Sequence, residues 1–321
     1  MAAHEYLEDL SSLLPAVGLL NQLGYQYLTP SQNLALRGGR TSKLILESVL
    51  REQLQKFNSI TFKGQHYAFS DSNIQKAVQA LTDIPFDSLM NTSEQVYDLL
   101  TLGKSLEQTI DGYTKSFSLH YIDWQHPENN VYHVCDEFVL ERRHSKQTRR
   151  PDIVLFVNGI PLAVIECKRP DLKDAAEEGI SQHLRNQRTD EIPELFTYAQ
   201  ILVTVSQNKA LYGTTGTPAK FWAIWKEEDQ HAQETYLQGL VNQALSENLK
   251  SRLFAERDEQ QRRTMETVWQ AGERLPSPQD KAIHSLLRPE RLLELVYQYI
   301  VFDNKEKKIG RYQQYFAVGA T

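Results

Sequence analysis

Cysteine is nearly missing from this sequence: Cys135 and Cys167 are the only two in 321 residues. So sparse a pair builds neither a disulfide framework nor a zinc site. No apolar run approaches the roughly 18 residues of a membrane-spanning helix. The opening "MAAHEYLEDL" is acidic, which argues against a secretory signal. A cytoplasmic location with no membrane partner is the resulting expectation. An excess of positive charge is lacking too. The formal balance is −6, which excludes wholesale wrapping of nucleic acid but leaves room for a local basic patch. Nowhere does G-x-x-x-x-G-K-[ST] occur; "RGGRTSK" at 37–43 has glycines and a lysine without the spacing or the strand-to-helix setting of a phosphate-cradling loop. Hydrolysis of ATP by this chain unaided is therefore not expected. What is present, 40% hydrophobic and 24% charged residues, is a globular composition long enough for a substantial core.

Apolar spacing predicts helices over 5–23, ending at Gly24, and over 43–57. A hairpin is expected around Lys63-Gly64. Two more helices follow, capped by Asp71 or Ser72 and by Thr92 or Ser93. From residue 115 alternation takes over. "KSFSLHYIDW", "VYHVCDEFVLER", two runs within 150–170, "AQILVTVS" at 199–206 and "FWAIW" at 221–225 read as strands, with a helix over 173–187. After Lys226 the texture is helical and polar, broken at Pro276 and Pro278. The pattern is α/β (α+β): a mixed central sheet flanked by helices, followed by a helical segment.

The stretch "RPDIVLFVNGIPLAVIECKRP", Arg150 to Pro170, carries charge at the rims of two apolar strands. Both faces of these strands are apolar in the middle, as in the centre of a covered sheet. Side chains alternate along a strand, so Glu166 and Lys168 share a face. Asp152 joins them only with the right loop parity. A strict two-residue Asn158-Gly159 turn sets it opposite Ile165, on the wrong side, whereas a three-residue loop sets it opposite Val164, diagonal to Glu166. An odd loop, or a kink at Pro151-Asp152, is therefore expected. Two carboxylates so placed repel unless a cation lies between them. A hard divalent ion, Mg²⁺ most simply, takes a few carboxylates and leaves sites for phosphate oxygens. Lys168 would orient water or stabilise developing charge. Just upstream, "ERRHSKQTRR" holds Arg142, Arg143, Lys146, Arg149 and Arg150, a segment suited to guiding a phosphate backbone and equally readable as a solvated loop. The chemistry indicated is phosphodiester hydrolysis; the alternative is a surface Asp, a rim Glu and a salt-bridging Lys on an ordinary sheet.

The same stretch resembles the nuclease motif at the start of the endonuclease (R) subunit of type I restriction enzymes, members of the PD-(D/E)xK nuclease superfamily. "LPAVGLLNQLGYQYL", "LILESVLREQL", "FTYAQILVTVSQNKALYGTTG" and "LLELVYQYIVFDNKEKKIGRYQQYFAV" extend the likeness over nearly the whole chain. The resemblance implies Asp152 and Glu166 as metal ligands, the Cys167 backbone carbonyl as a third, Lys168 as the catalytic lysine, and Glu8 as a weaker candidate for the metal site. The family's Q-x-x-x-Y pattern is half matched: Gln182 fits and Asn186 replaces the tyrosine. Gln182 is thereby placed in the catalytic set, and Arg185 beside it as a phosphate contact. "RYQQYFA" is similar to the adenine-recognising segment of superfamily 2 helicases, with Gln314 the matching residue.

The expectation from sequence is thus a Mg²⁺-dependent endonuclease acting on double-stranded DNA. It comprises a nuclease domain over 1–230 and a helical linker with the start of a truncated motor over 231–321. Its implied partners are methyltransferase and specificity subunits, and ATP serves only the full-length subunit. A repair nuclease of the same superfamily, or an inactive docking module, are the other readings.

Overall fold

A computed structural model describes residues 8–270 and 272–319. Six strands form the central sheet in simple chain order: β1 (Gln26–Leu28), β2 (Tyr132–Asp136), β3 (Ile153–Val157), β4 (Ile160–Cys167), β5 (Ile201–Ser206) and β6 (Lys209–Gly213). β1 and β2 run parallel, as do β4 and β5; the remaining pairings are antiparallel. The mixed sheet flanked by helices is the expected class. β3 and β4 lie at its centre and are buried throughout, which their two-sided apolar sequence requires.

The chain enters through a π-helical turn, Asp9–Leu13, that runs into α1 (Leu14–Gln22); positions 5–7 of the expected first helix lie outside the described residues. Between β1 and β2 come α2 (Pro30–Leu36), α3 (Glu47–Phe57), α4 (Asp71–Thr82) and α5 (Leu89–Leu102), with hairpins at 60–67 and 104–119. Ser70 and Ser88 cap α4 and α5, each side chain accepting an N–H three residues on. The caps therefore sit before the expected Asp71/Ser72 and Thr92/Ser93. α6 (Ala175–Asn186) and α7 (Pro193–Tyr198) cover one face of β4 and β5. "FWAIW" is not a strand. Pro218 starts a 3-10 turn whose Phe221 N–H bonds back to the Pro218 carbonyl, leaving a single bridge between Tyr212 and Ala223.

The expected odd loop is also corrected. Asn158 and Gly159 form a strict two-residue turn, both with positive φ (51° and 81°). The parity changes inside β4 instead. Val157 pairs Ile160 and Phe156 pairs Pro161, but Leu155 pairs Ala163, so Leu162 is an extra residue. Pro161 has no N–H to continue the ladder, which explains where the slip occurs. With Ile153 opposite Ile165, one step further brings Asp152 beside Glu166.

The rest of the chain is α8 (Gln230–Val241), α9 (Glu247–Leu253), α10 (Glu259–Gln270), α11 (Pro278–Leu287), α12 (Pro289–Tyr299), a hairpin over 300–309, and α13 (Tyr312–Gly319). The hairpin was not anticipated from sequence. α11 and α12 are not a loose appendage: Ile283, Leu286, Leu292 and Val296 share one apolar cluster with Val17, Leu20 and Val203. The stretch 252–261 clamps the sheet and the chain entry. Arg252 bonds the Tyr27 carbonyl, Glu256 meets Ser31, Arg257 pairs with buried Asp136, and Gln261 Nε2 donates to Asp9 Oδ2 at 3.0 Å.

The Asn158-Gly159 turn is itself a hub. Asn158 is fully buried; its Nδ2 donates to the Tyr121 carbonyl (3.0 Å) and to Asn130 Oδ1 (2.7 Å), and its Oδ1 accepts the Val131 N–H (2.9 Å). A Cβ on Gly159 would lie 2.6 Å from the Leu46 oxygen, so only glycine fits. Asn158→Gly keeps a favourable turn dipeptide yet strips two buried hydrogen bonds and a part-buried one. Urea unfolding should show a loss of about 2–4 kcal/mol with unchanged slope; a loss below about 1 kcal/mol would show the turn alone matters.

Candidate active site

The bulge in β4 sets the site. Asp152 stands just before β3. Its backbone is held by the continuation of β2, where the Glu137 and Phe138 amides donate to the Asp152 and Pro151 carbonyls at 2.8 and 3.0 Å. Its carboxylate Oδ2 accepts the Cys167 N–H at 2.7 Å. Glu166, next to last in β4, is 0% exposed; as a carboxylate neither of its oxygens meets a donor, and as an acid it shares its proton with Asp152. The Lys168 ammonium donates to the Cys167 carbonyl at 2.7 Å and lies 3.6 Å from Asp152 Oδ2 and 3.5 Å from Glu8 Oε1. The Cys167 side chain points to the opposite face, in the apolar cluster under α1.

The electrostatics follow from burial. Glu166 is pushed well above the usual carboxylate range by desolvation and then by Asp152, with Lys168 opposing. Burial pushes the Lys168 ammonium down, but Asp152, Glu166 and Glu8 outweigh it, so the proton is held above the ordinary lysine range. Glu8 is raised to about 7, by burial first, against the pull of Lys168. Asp9, bonded to Gln261, is raised to about 6 for the same leading reason.

Hard oxygens dominate this donor set: two carboxylates and the Cys167 carbonyl. The Glu166 oxygens, which meet no donor when ionised, are the feature of the fold that a divalent ion would satisfy, so the residues fit such an ion. Among the described residues no three His, Cys, Asp or Glu side chains are grouped to hold a metal by themselves. The set therefore depends on the main-chain carbonyl, which Lys168 engages here.

The other expected residues are more dispersed. Gln182 is half-buried on α6; Asn186, four residues on, is buried with its Oδ1 unpartnered. Arg185 is exposed. Most of the basic run is tied to carboxylates: Arg142 pairs with Asp190 and Glu191 (both 3.1 Å), Arg149 with Glu191 (2.6 Å), Arg143 with Glu194 (2.7 Å) and Arg150 with Glu137 (3.4 Å). Lys146 is exposed and pairs with no carboxylate among the described residues. Gln314 is exposed, and its Oε1 accepts the Arg311 N–H (2.7 Å), which caps its own helix.

Sequence reading missed several supporting residues. Gly179 lets α6 approach the sheet: a Cβ there would lie 1.9 Å from Thr204 Oγ1 and 3.6 Å from Lys168 Cγ. A glycine inside an amphipathic helix was the available signal. The Asp136–Arg257 and Asp9–Gln261 links join segments 121 and 252 residues apart, and no local pattern announces them.

A buried carboxyl with a raised pKa has a definite pH signature. The folded state keeps the Glu166 proton above its ordinary value near 4.5, so its stabilising contribution is complete below that pH and is lost as pH rises. Without divalent metal, Glu166→Gln should be more stable than wild type at pH 8 by about 1–3 kcal/mol, the gap closing toward pH 5. Denaturant melts at both pH values in chelator check this; a gap that is absent or reversed at pH 8 would contradict the assigned burial.

Comparison with known proteins bears out the family resemblance read from the sequence. The chain matches the family described as type I restriction enzyme R protein N terminus over residues 5–221. It is similar to the putative type I restriction enzyme MjaIXP endonuclease subunit of Methanocaldococcus jannaschii, 24% identical over 311 residues, covering 94% of this chain and 26% of that protein. The type I restriction enzyme HindI endonuclease subunit of Haemophilus influenzae is 26% identical over 309 residues, covering 93% of this chain and 25% of that protein. The chain thus spans about a quarter of the length of these relatives. With more than half of its residues matched, the chain belongs to the family of type I restriction enzyme R protein N termini.

Proposed function

We propose that this chain is the nuclease portion of a type I restriction enzyme R subunit, hydrolysing phosphodiester bonds of double-stranded DNA at the Asp152–Glu166–Lys168 cluster with Mg²⁺. The observation that carries the reading is the bulge at Leu162, which turns Asp152 onto the face of a buried Glu166 whose carboxylate oxygens meet no donor. An ordinary sheet gains nothing from such a pair, since a buried unpartnered carboxylate is costly. A divalent ion bound there supplies charge neutralisation and a water of lowered pKa.

The chain's own residues divide the remaining work. Asp152 and Glu166 present the acceptor oxygens, with the Cys167 amide orienting Asp152. Lys168, kept protonated by surrounding carboxylates, donates a hydrogen bond to a phosphoryl oxygen and offsets the charge that builds there. Doing so requires its ammonium to leave the Cys167 carbonyl, which frees that oxygen as a third acceptor. Gln182 faces incoming DNA from α6. Lys146 and Arg185 steer the backbone, because Arg142, Arg143 and Arg149 already serve the carboxylates of 190–194 and Arg150 is paired with Glu137.

The ATP-driven motor, to which Gln314 would contribute an adenine contact, is assigned to the part of the relatives that this chain does not span. Methyltransferase and specificity subunits complete the assembly. No helix among the described residues is long and apolar enough to cross a membrane, and the reading places the work in the cytoplasm.

In the complete complex with Mg²⁺ and ATP, Asp152→Ala and Lys168→Ala should each reduce DNA cleavage at least about 100-fold, while far-UV circular dichroism and ATP turnover stay near wild type. Cleavage persisting in both variants would defeat the assignment.

A further inference from the structure

Glu166 has two neighbours across the sheet on its own face. Just before β3 the neighbour is Asp152, itself an acceptor. On β5 it is Thr204, which the parallel register places directly beside Glu166. Both Glu166 and Thr204 are 0% exposed, and the Thr204 hydroxyl has no hydrogen-bond partner. A buried hydroxyl without an acceptor thus stands next to a buried carboxyl that, once ionised, has no donor. The other nearby donor, the Lys168 ammonium, is committed to the Cys167 carbonyl, Asp152 and Glu8.

The setting of this hydroxyl carries a second local cost. α6 has a glycine where it crosses Thr204, and a Cβ at Gly179 would sit 1.9 Å from Thr204 Oγ1. Glycine inside a helix costs about 1 kcal/mol relative to alanine, and a buried unpaired hydroxyl costs about 1–3 kcal/mol. Packing alone would be served more cheaply by alanine at 179 over a smaller residue at 204. Two unfavourable choices at one point, both needed to keep a hydroxyl beside the cluster, are what functional sites show.

We infer that Thr204 is a positioning residue for the acidic pair: its hydroxyl donates to the Glu166 carboxylate when a divalent ion is held, fixing the rotamer that presents the other oxygen to the ion. This rests on the reading of Asp152 and Glu166 as metal ligands. Partners of this outer kind commonly change metal affinity 10–100-fold when removed.

Titration of the full chain with Mn²⁺ alone, followed by calorimetry, tests the inference with five proteins: wild type, Asp152→Ala, Thr204→Val, Thr204→Ala and Thr204→Ser. Thr204→Val should weaken Mn²⁺ binding about 10–100-fold, and Thr204→Ala, which adds no methyl against α6, should do the same. Thr204→Ser, which keeps the hydroxyl, should stay within about threefold of wild type. Thermal melts in chelator should show Thr204→Val at least as stable as wild type, because an unpaired hydroxyl is replaced by a methyl. Wild-type affinity in both Thr204→Val and Thr204→Ala, with Asp152→Ala impaired, overturns the role of Thr204 alone. Equal loss in Thr204→Ser overturns it too, assigning the effect to packing. If wild type binds no Mn²⁺, or Asp152→Ala binds as wild type does, the metal-site reading itself fails and takes this inference with it.

Discussion

One extra residue in a buried strand governs this structure. Side chains on a strand alternate, so moving the pairing by one exchanges the faces of everything beyond the shift. The tight turn at Asn158-Gly159 alone would aim Asp152 away from Glu166. Leu162, inserted opposite the Phe156–Leu155 step, restores the match without lengthening the turn. The arrangement is rigid at both ends. Gly159 is pressed on the Leu46 carbonyl, and the Asp152 carboxylate is bonded to the Cys167 amide. Neither the turn nor the acidic residue can relax independently of the strand between them.

The placement works against stability. Three carboxyl groups surround one ammonium in a largely buried site, and the most buried of them, Glu166, meets no donor when ionised. An isolated buried charge is strongly unfavourable, so the fold holds the Glu166 proton and surrounds the site with compensating structure. The neighbouring β3 is apolar throughout, α6 lies close over Thr204 at Gly179, and the clamp formed by residues 252–261 fastens the chain entry next to Glu8. Destabilised sites supported from outside are the general pattern where function demands an arrangement that folding alone would not select.

Much of this was legible in the sequence, for identifiable reasons. The central position of β3 and β4 followed from apolar residues on both faces, and the shared face of Glu166 and Lys168 from their spacing of two. The source of parity was misread as the loop. The signal was present: Pro161 cannot donate to a ladder, and a proline inside a central strand marks a bulge. The cap Ser70 lies one or two residues before the positions expected, within ordinary drift of helix starts, whereas Ser88 lies four or five before, beyond that drift. The pairing of Arg142, Arg143 and Arg149 with residues 190–194 could not be read, because charge runs carry no information on what faces them. For the same reason the links Arg257–Asp136 and Gln261–Asp9 were invisible: they depend on how distant segments pack, not on any local period.

The central claim is that Asp152 and Glu166 converge to hold a cation. It is tested most directly by anomalous diffraction at the manganese edge from crystals of this chain soaked in Mn²⁺. The account predicts a single strong peak within about 2.5 Å of oxygens from both carboxylates, with Lys168 withdrawn from the Cys167 carbonyl. Well-ordered crystals with no peak at that position, or with the two side chains pointing apart, would contradict it.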